Sequence, residues 1–185
     1  PLSGIKTLFK DAKTAFILLV AFLSLGLTSA VWANGPELQI IGEKQEELHP
    51  YQGLDYFCTP AAQSPTINAL QKRPTLPWQS SRGEMPNLGF PNQHCWFRFA
   101  VRNQNPRHSD WQLLVDYAML GELDVYQLDA GGNLVNHFQA GMDRDFAVRP
   151  GNYPTPAFPP SLPSGKDSSL SLKVTSPPSI QPPIR

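Results

Sequence analysis

Hydrophobic and polar residues alternate most clearly where the chain reads CWFRFAVRN, from position 95 onward. Side chains on a strand point to opposite faces in turn. Cys95, Phe97, Phe99 and Val101 therefore share one side, and Trp96, Arg98, Ala100 and Arg102 the other. The first set reads as core. The second joins an aromatic plane to a guanidinium, which suits either a second packing layer or a binding surface. Further along, SDWQLLVDYA puts Trp111, Leu113 and Val115 on one face, and ELDVYQLD sets Leu123 and Val125 against Asp124 and Tyr126. The two glycines of DAGGN predict a hairpin turn into LVNHFQA. RDFAVRP predicts a short strand with Phe146 and Val148 on one side, and SSLSLKVTS turns Leu170, Leu172 and Val174 inward with Lys173 outward.

The earlier part of the chain is less regular. PELQIIGEKQEELHPY holds a short alternating run and then a polar turn, and GLDYFCTP is a strand closed by Pro60. SPTINALQKRP fits a single helical turn or a strand burying Ile67 and Leu70. Residues 74–91 are rich in turn formers, and TPAFPPSLP is extended but confined by its prolines to an edge or crossing segment. Eight or nine short strands separated by turn signals predict an all-β sandwich, with no helical periodicity outside the leader. The 20 prolines and 13 glycines of the 185-residue chain agree with short elements and many turns.

Residues 1–33 have a different character. Lys6, Lys10 and Lys13 precede an uncharged run from 15 to 32, and Val31 and Ala33 occupy the small-residue positions of a signal-peptidase site. This predicts a signal peptide cleaved after Ala33, the alternative being an uncleaved anchor. Either way residues 34–185 are exported, with 34–45 read as a connector and 46–185 as the sandwich. Of the chain's 15 basic and 15 acidic side chains, 12 and 14 lie beyond the leader, a net −2 that favours no charged partner. No nucleic-acid footprint appears. The first residue is Pro1, and the last residues look like the start of another extended segment, so the sequence reads as a piece of a longer protein.

Export bears on the two cysteines. An oxidising compartment permits a disulfide between Cys58 and Cys95, and separate thiols remain the alternative. No CxxC pair supports zinc, and Asp143 with Asp145 supplies too few oxygens for calcium. His49, His94, His108 and His137 lack ligand spacing, so no metal or other cofactor is expected. Glu122 and Asp124 share a strand face, but acid–base pairs usually come from different strands, and no catalytic motif is legible. The chain reads as non-enzymatic, a jelly-roll hydrolase being the weakest of the readings.

The order NLGF (residues 87–90), W-x-R-F (96–99), LGELDVY (120–126), Arg149–Pro150 and LSLKVTS (170–176) resembles the 7TMR-DISM extracellular domain of the second type. The resemblance covers about residues 46–185. GNYPTPAF departs from the family's simpler approach to its strand, and the end at Arg185 leaves closure of the sandwich open. The resemblance implies a jelly roll similar to carbohydrate-binding modules, placed before a seven-helix membrane bundle. A cytoplasmic output such as a diguanylate cyclase or a histidine kinase would follow. It implies a periplasmic location on an inner-membrane receptor, and a small-molecule ligand with carbohydrate among the candidates. A secreted carbohydrate-binding or adhesion module without a signalling role is the alternative.

Candidate ligand-binding residues are Trp96, Arg98, Tyr126, Arg144, Arg149 and Tyr153. A tryptophan ring and a guanidinium fork suit a sugar's C–H face and hydroxyls. The competing account has Trp96 sealing the sandwich edge and Arg98 pairing with a carboxylate such as Asp116 or Asp124, and it is favoured for these two residues. The other four lie in or beside the hairpin and the RPGNYP loop, where binding residues concentrate on a sandwich.

Overall fold

The computed structural model describes residues 35–72, 75–84, 86, 93–116, 120–151, 155–175 and 184. The leader, its cleavage site, the NLGF lead-in and Tyr153 lie outside the described residues.

The main sheet is built around three strands whose alternation was plain: β4 (Gln93–Asn103), β6 (Glu122–Asp129) and β9 (Asp167–Thr175). β9 lies between the other two and is antiparallel to both. β2 (Asp55–Pro60) and β3 (Gln79–Ser80) extend the β4 side, and β7 (Leu134–Ala140) extends the β6 side. The order is β3-β2-β4-β9-β6-β7. β1 (Leu38–Ile41) runs parallel to the second half of β4, pairing Leu38 with Ala100 through Ile41 with Asn103. β2 takes the first half of the same edge. Residues 38–41, assigned to a connector by the sequence, are thus part of the sheet.

The inward face of this sheet is apolar. Phe97, Leu123, Val125, Leu172 and Val174 have no exposed surface at all. A second sheet covers it, formed by β5 (Leu113–Leu114) and β8 (Ala157–Phe158). Val115 continues β5 into an isolated antiparallel bridge with Ile184, and both are fully buried. The Phe138 and Phe158 rings meet across the layers at 5.9 Å. The described residues form an all-β fold, two sheets around a main core with a smaller apolar cluster on the other face of the large sheet.

Of the two alternatives for SPTINALQKRP the structure takes the helical one, with Ile67–Lys72 a short α-helix, α1. Thr66 starts it, its Oγ1 accepting from the Ala69 N–H at 3.3 Å. Phe146–Val148 is a 3-10 turn rather than a strand. Asp145 caps it by accepting from the Ala147 N–H at 3.0 Å, and Phe146 and Val148 are exposed. Among its described residues, WQLLVDY contributes a two-residue strand and the Val115 bridge.

The β6–β7 hairpin forms where DAGGN placed it. The Asp129 carboxylate accepts from the N–H groups of Gly131 and Asn133 at 2.9 and 2.8 Å, and Gly132 takes a φ of 79°. At the far end of this pair Gly141 has a φ of 124°, and a Cβ there would collide with the Gly121 carbonyl oxygen.

Candidate functional site

The outward face of the sheet carries most of the residues singled out from the sequence. Trp96 has no exposed surface. It packs with Phe57 and Leu70 under α1 and residues 76–78, and its Nε1–H donates to Ser64 Oγ at 3.3 Å. Ser171 of β9 pairs in register with Arg98 on one side and Tyr126 on the other. Its small side chain lets rings from β4 and β6 meet: Trp96 stacks on Tyr126 at 5.8 Å, and Tyr126 on His137 at 4.4 Å. Burial, aided by the Asp124 charge, pushes the Tyr126 hydroxyl up to about 12.

The guanidinium groups on this face are engaged with carboxylates of the chain. Arg98 donates from Nε and Nη2 to Asp55 Oδ2 at 3.1 and 2.9 Å, and stacks on Trp78 at 4.0 Å from the ring centroid. The carboxylate partner is Asp55, directly opposite Arg98 on β2. Arg144 grips both Asp124 oxygens, at 3.1 and 2.8 Å, and reaches Glu122 at 3.5 Å. Asp124 also accepts from Gln139 at 3.1 Å, and lies 2.8 Å from His137 Nε2. Glu122 and Asp124 are therefore braced by one arginine. Arg149 sits apart, with Nη2 donating to the Gly141 carbonyl at 3.4 Å and its plane over Phe146. The structure brings Trp96, Arg98, Tyr126 and Arg144 onto one face and leaves Arg149 outside the group.

Burial pushes the Asp124 carboxyl upward, but the hydrogen bonds from Arg144, His137 and Gln139 outweigh it and hold the group below the ordinary 3.8. A carboxylate depressed in the folded state contributes stability that is complete above its unfolded value and is lost as pH falls through the folded one. Asp124→Asn is expected to cost roughly 2 kcal/mol at pH 7, because the largely buried Arg144 loses the charged acceptor it grips with two hydrogen bonds. The same variant should narrow the gap in stability between pH 7 and pH 3, as measured by urea unfolding at both pH values.

The inward face holds the other feature. A cavity of about 510 Å³ opens between the sheets over Phe99, Val101 and Leu170, walled by β5 and by Pro160 and Leu162. Trp111 stands in its wall, half-buried. The indole N–H is buried and meets no acceptor among the described residues. Glu46, Glu47 and Asp110 line the cavity and are exposed, so they form its mouth. Glu47 also lies 3.6 Å from His49.

Two buried amides fix the wall. Asn103 Nδ2 donates to the Leu162 carbonyl at 2.8 Å and to the His108 carbonyl at 2.7 Å. Gln127 holds Ser161 from both ends of its amide, accepting from the N–H at 3.1 Å and donating to the carbonyl at 2.5 Å. Neither residue was singled out from the sequence. The one available signal was a polar residue at an inward-facing or strand-terminal position, such as Asn103 after the run ending at Val101.

No curated protein matches the chain. The family model described as 7TMR-DISM extracellular 2 matches residues 52–185, most of the chain and nearly all of the two-layer region. The chain belongs to the 7TMR-DISM extracellular 2 family.

Proposed function

We propose that this chain is the periplasmic small-molecule-sensing domain of a membrane-bound bacterial receptor, delivered by a signal peptide cleaved after Ala33. In this reading it is a jelly-roll sensor and not an enzyme. The output, a diguanylate cyclase or a histidine kinase, lies elsewhere in the receptor. Family membership supports the sensor role. The observation that carries the site is the cavity between the sheets, apolar inside, acidic at its mouth and edged by Trp111. Ligand pockets have this make-up of an apolar body with a few convergent polar groups. A buried donor with no acceptor is also the kind of group that a ligand oxygen relieves after a small ring movement. The outward face is less suited, since the fork donors of Arg98 and Arg144 already serve carboxylates of the chain.

The Trp111 ring and the carboxylates at the mouth are the groups that a small-molecule ligand of this cavity would meet first, and carbohydrate is one class to be tested. The test is thermal unfolding of the exported, oxidised chain against sugars, amino acids and amines. A specific ligand at a hundred times its Kd adds about 2.7 kcal/mol of stability. The expected result is a rise in Tm that Trp111→Ala abolishes and Tyr126→Phe preserves. A rise that survives Trp111→Ala and disappears in Tyr126→Phe would place the site on the outward face.

A further inference from the structure

We infer that the ligand of this cavity is an organic cation with an apolar body, and this rests on the cavity being the binding site. Most of the side chains lining the space fall into two groups, and the exposed amide of Gln112 lines it as well. Deep in it are Phe99, Val101, Leu113, Leu162 and Leu170, which offer no charge and no side-chain hydrogen bond. At its mouth are Glu46, Glu47 and Asp110, and no lysine, arginine or histidine lines it among the described residues. Three carboxylates of one sign beside low-dielectric walls focus a negative potential on the opening. An anionic ligand would be repelled there, and a neutral one would gain little from three charges. A cation gains from this acidic rim, in which Glu47 also contacts His49 and Asp110 accepts from the Ser109 hydroxyl.

Trp111 adds an independent reason. It is the aromatic residue of the cavity's edge segment, next in sequence to Asp110, and its half-buried ring stands between the acidic mouth and the apolar depth. An ammonium group against an indole face is the most favourable cation–π pairing among the aromatic side chains. An acidic mouth, an indole edge and a greasy interior in that order select a molecule with an ammonium head and a hydrocarbon or aromatic tail. The tail accounts for the depth and the head for the mouth. A neutral sugar would leave the deep wall in contact with hydroxyl groups that find no partner side chain there.

The experiment is calorimetric titration of the exported, oxidised chain with three probes of nearly equal size: 2-phenylethylammonium, 2-phenylethanol and 3-phenylpropanoate. The cation is expected to bind at least tenfold more tightly than the alcohol, and the carboxylate not at all. Raising the salt concentration should weaken the cation and leave the alcohol unchanged. The triple variant Glu46→Gln, Glu47→Gln, Asp110→Asn should reduce the cation to the level of the alcohol. These three residues are exposed, so the variant retains the fold, which its unfolding transition verifies.

Equal binding of cation and alcohol, both lost in Trp111→Ala, overturns the charge requirement while leaving the cavity as the site. Binding of a neutral sugar at the cavity with no response to the ammonium probe does the same. Absence of cation binding at millimolar concentration overturns the inference outright. Cation binding that persists in Leu162→Trp, which fills the cavity, overturns the cavity reading as well.

Discussion

Trp96→Ala is expected to lower the unfolding free energy by about 4 kcal/mol. Trp96 has no exposed surface, and its neighbours are the large side chains of a small second core. Phe57 lies beside it, α1 covers it with Leu70, and Tyr126 stacks on it from across β9. Truncation to alanine leaves a hole that the sheet below cannot close, because β4 around Trp96 is fixed by pairing with β2 on one side and β9 on the other. The Ser64 hydroxyl also loses its donor, a smaller cost of about 1 kcal/mol. Chemical unfolding of the variant, followed by circular dichroism to avoid the lost indole signal, measures the effect. A variant of unchanged stability that had lost ligand binding would move Trp96 from packing to recognition.

Opening the Cys58–Cys95 disulfide is expected to cost nearly as much. The two residues are directly opposite on β2 and β4 and lie 37 positions apart in the chain. Cross-linking a loop of that size restricts the unfolded chain by about 4 kcal/mol on the loop-entropy account. The closed loop contains α1 and the segment with Leu76 and Trp78, which together roof the Trp96 cluster. The roof is held to the sheet by few strand pairs of its own, since β3 has two residues. In Cys58→Ala, Cys95→Ala the loss of global stability should therefore be accompanied by faster amide exchange in residues 61–72 than in β6 or β9. Equal exchange throughout would show that the roof does not depend on the bridge.

Strands with a continuous period of two were legible from the chain. β4, β6 and β9 each bury one set of alternate residues, and the hairpin between β6 and β7 carried its own turn chemistry in Asp129 and the glycines after it. What was hidden depends on distant residues. β1 is held by parallel pairing with β4, some sixty positions later, and its two exposed apolar residues, Leu38 and Ile40, gave a weak alternating signal. α1 is too short for a helical period and is kept by Leu70 reaching into the Trp96 cluster. Phe146 and Val148 alternate as a strand would, yet Asp145 caps them into a tighter turn. The same holds for the sites. That Trp96 and Arg98 share a face followed from parity, but the choice of Asp55 as partner came from the register of β2, which nothing local reveals. The cavity draws its walls from residues 41–50, 99–101, 110–114, 160–162 and 170, so no single window of sequence contains it.

The Val115–Ile184 bridge ties two ends of the problem together. β5 lines the cavity through Leu113 and Leu114, and the next residue is locked to Ile184 near the chain's final position. A molecule in the cavity that prefers one placement of β5 thereby favours one placement of Ile184. Thermodynamic linkage makes that relation symmetrical: fixing Ile184 must alter the cavity's affinity by the same factor. The dissociation constant of this domain is then a property of what holds Ile184, as much as of the residues that touch the ligand.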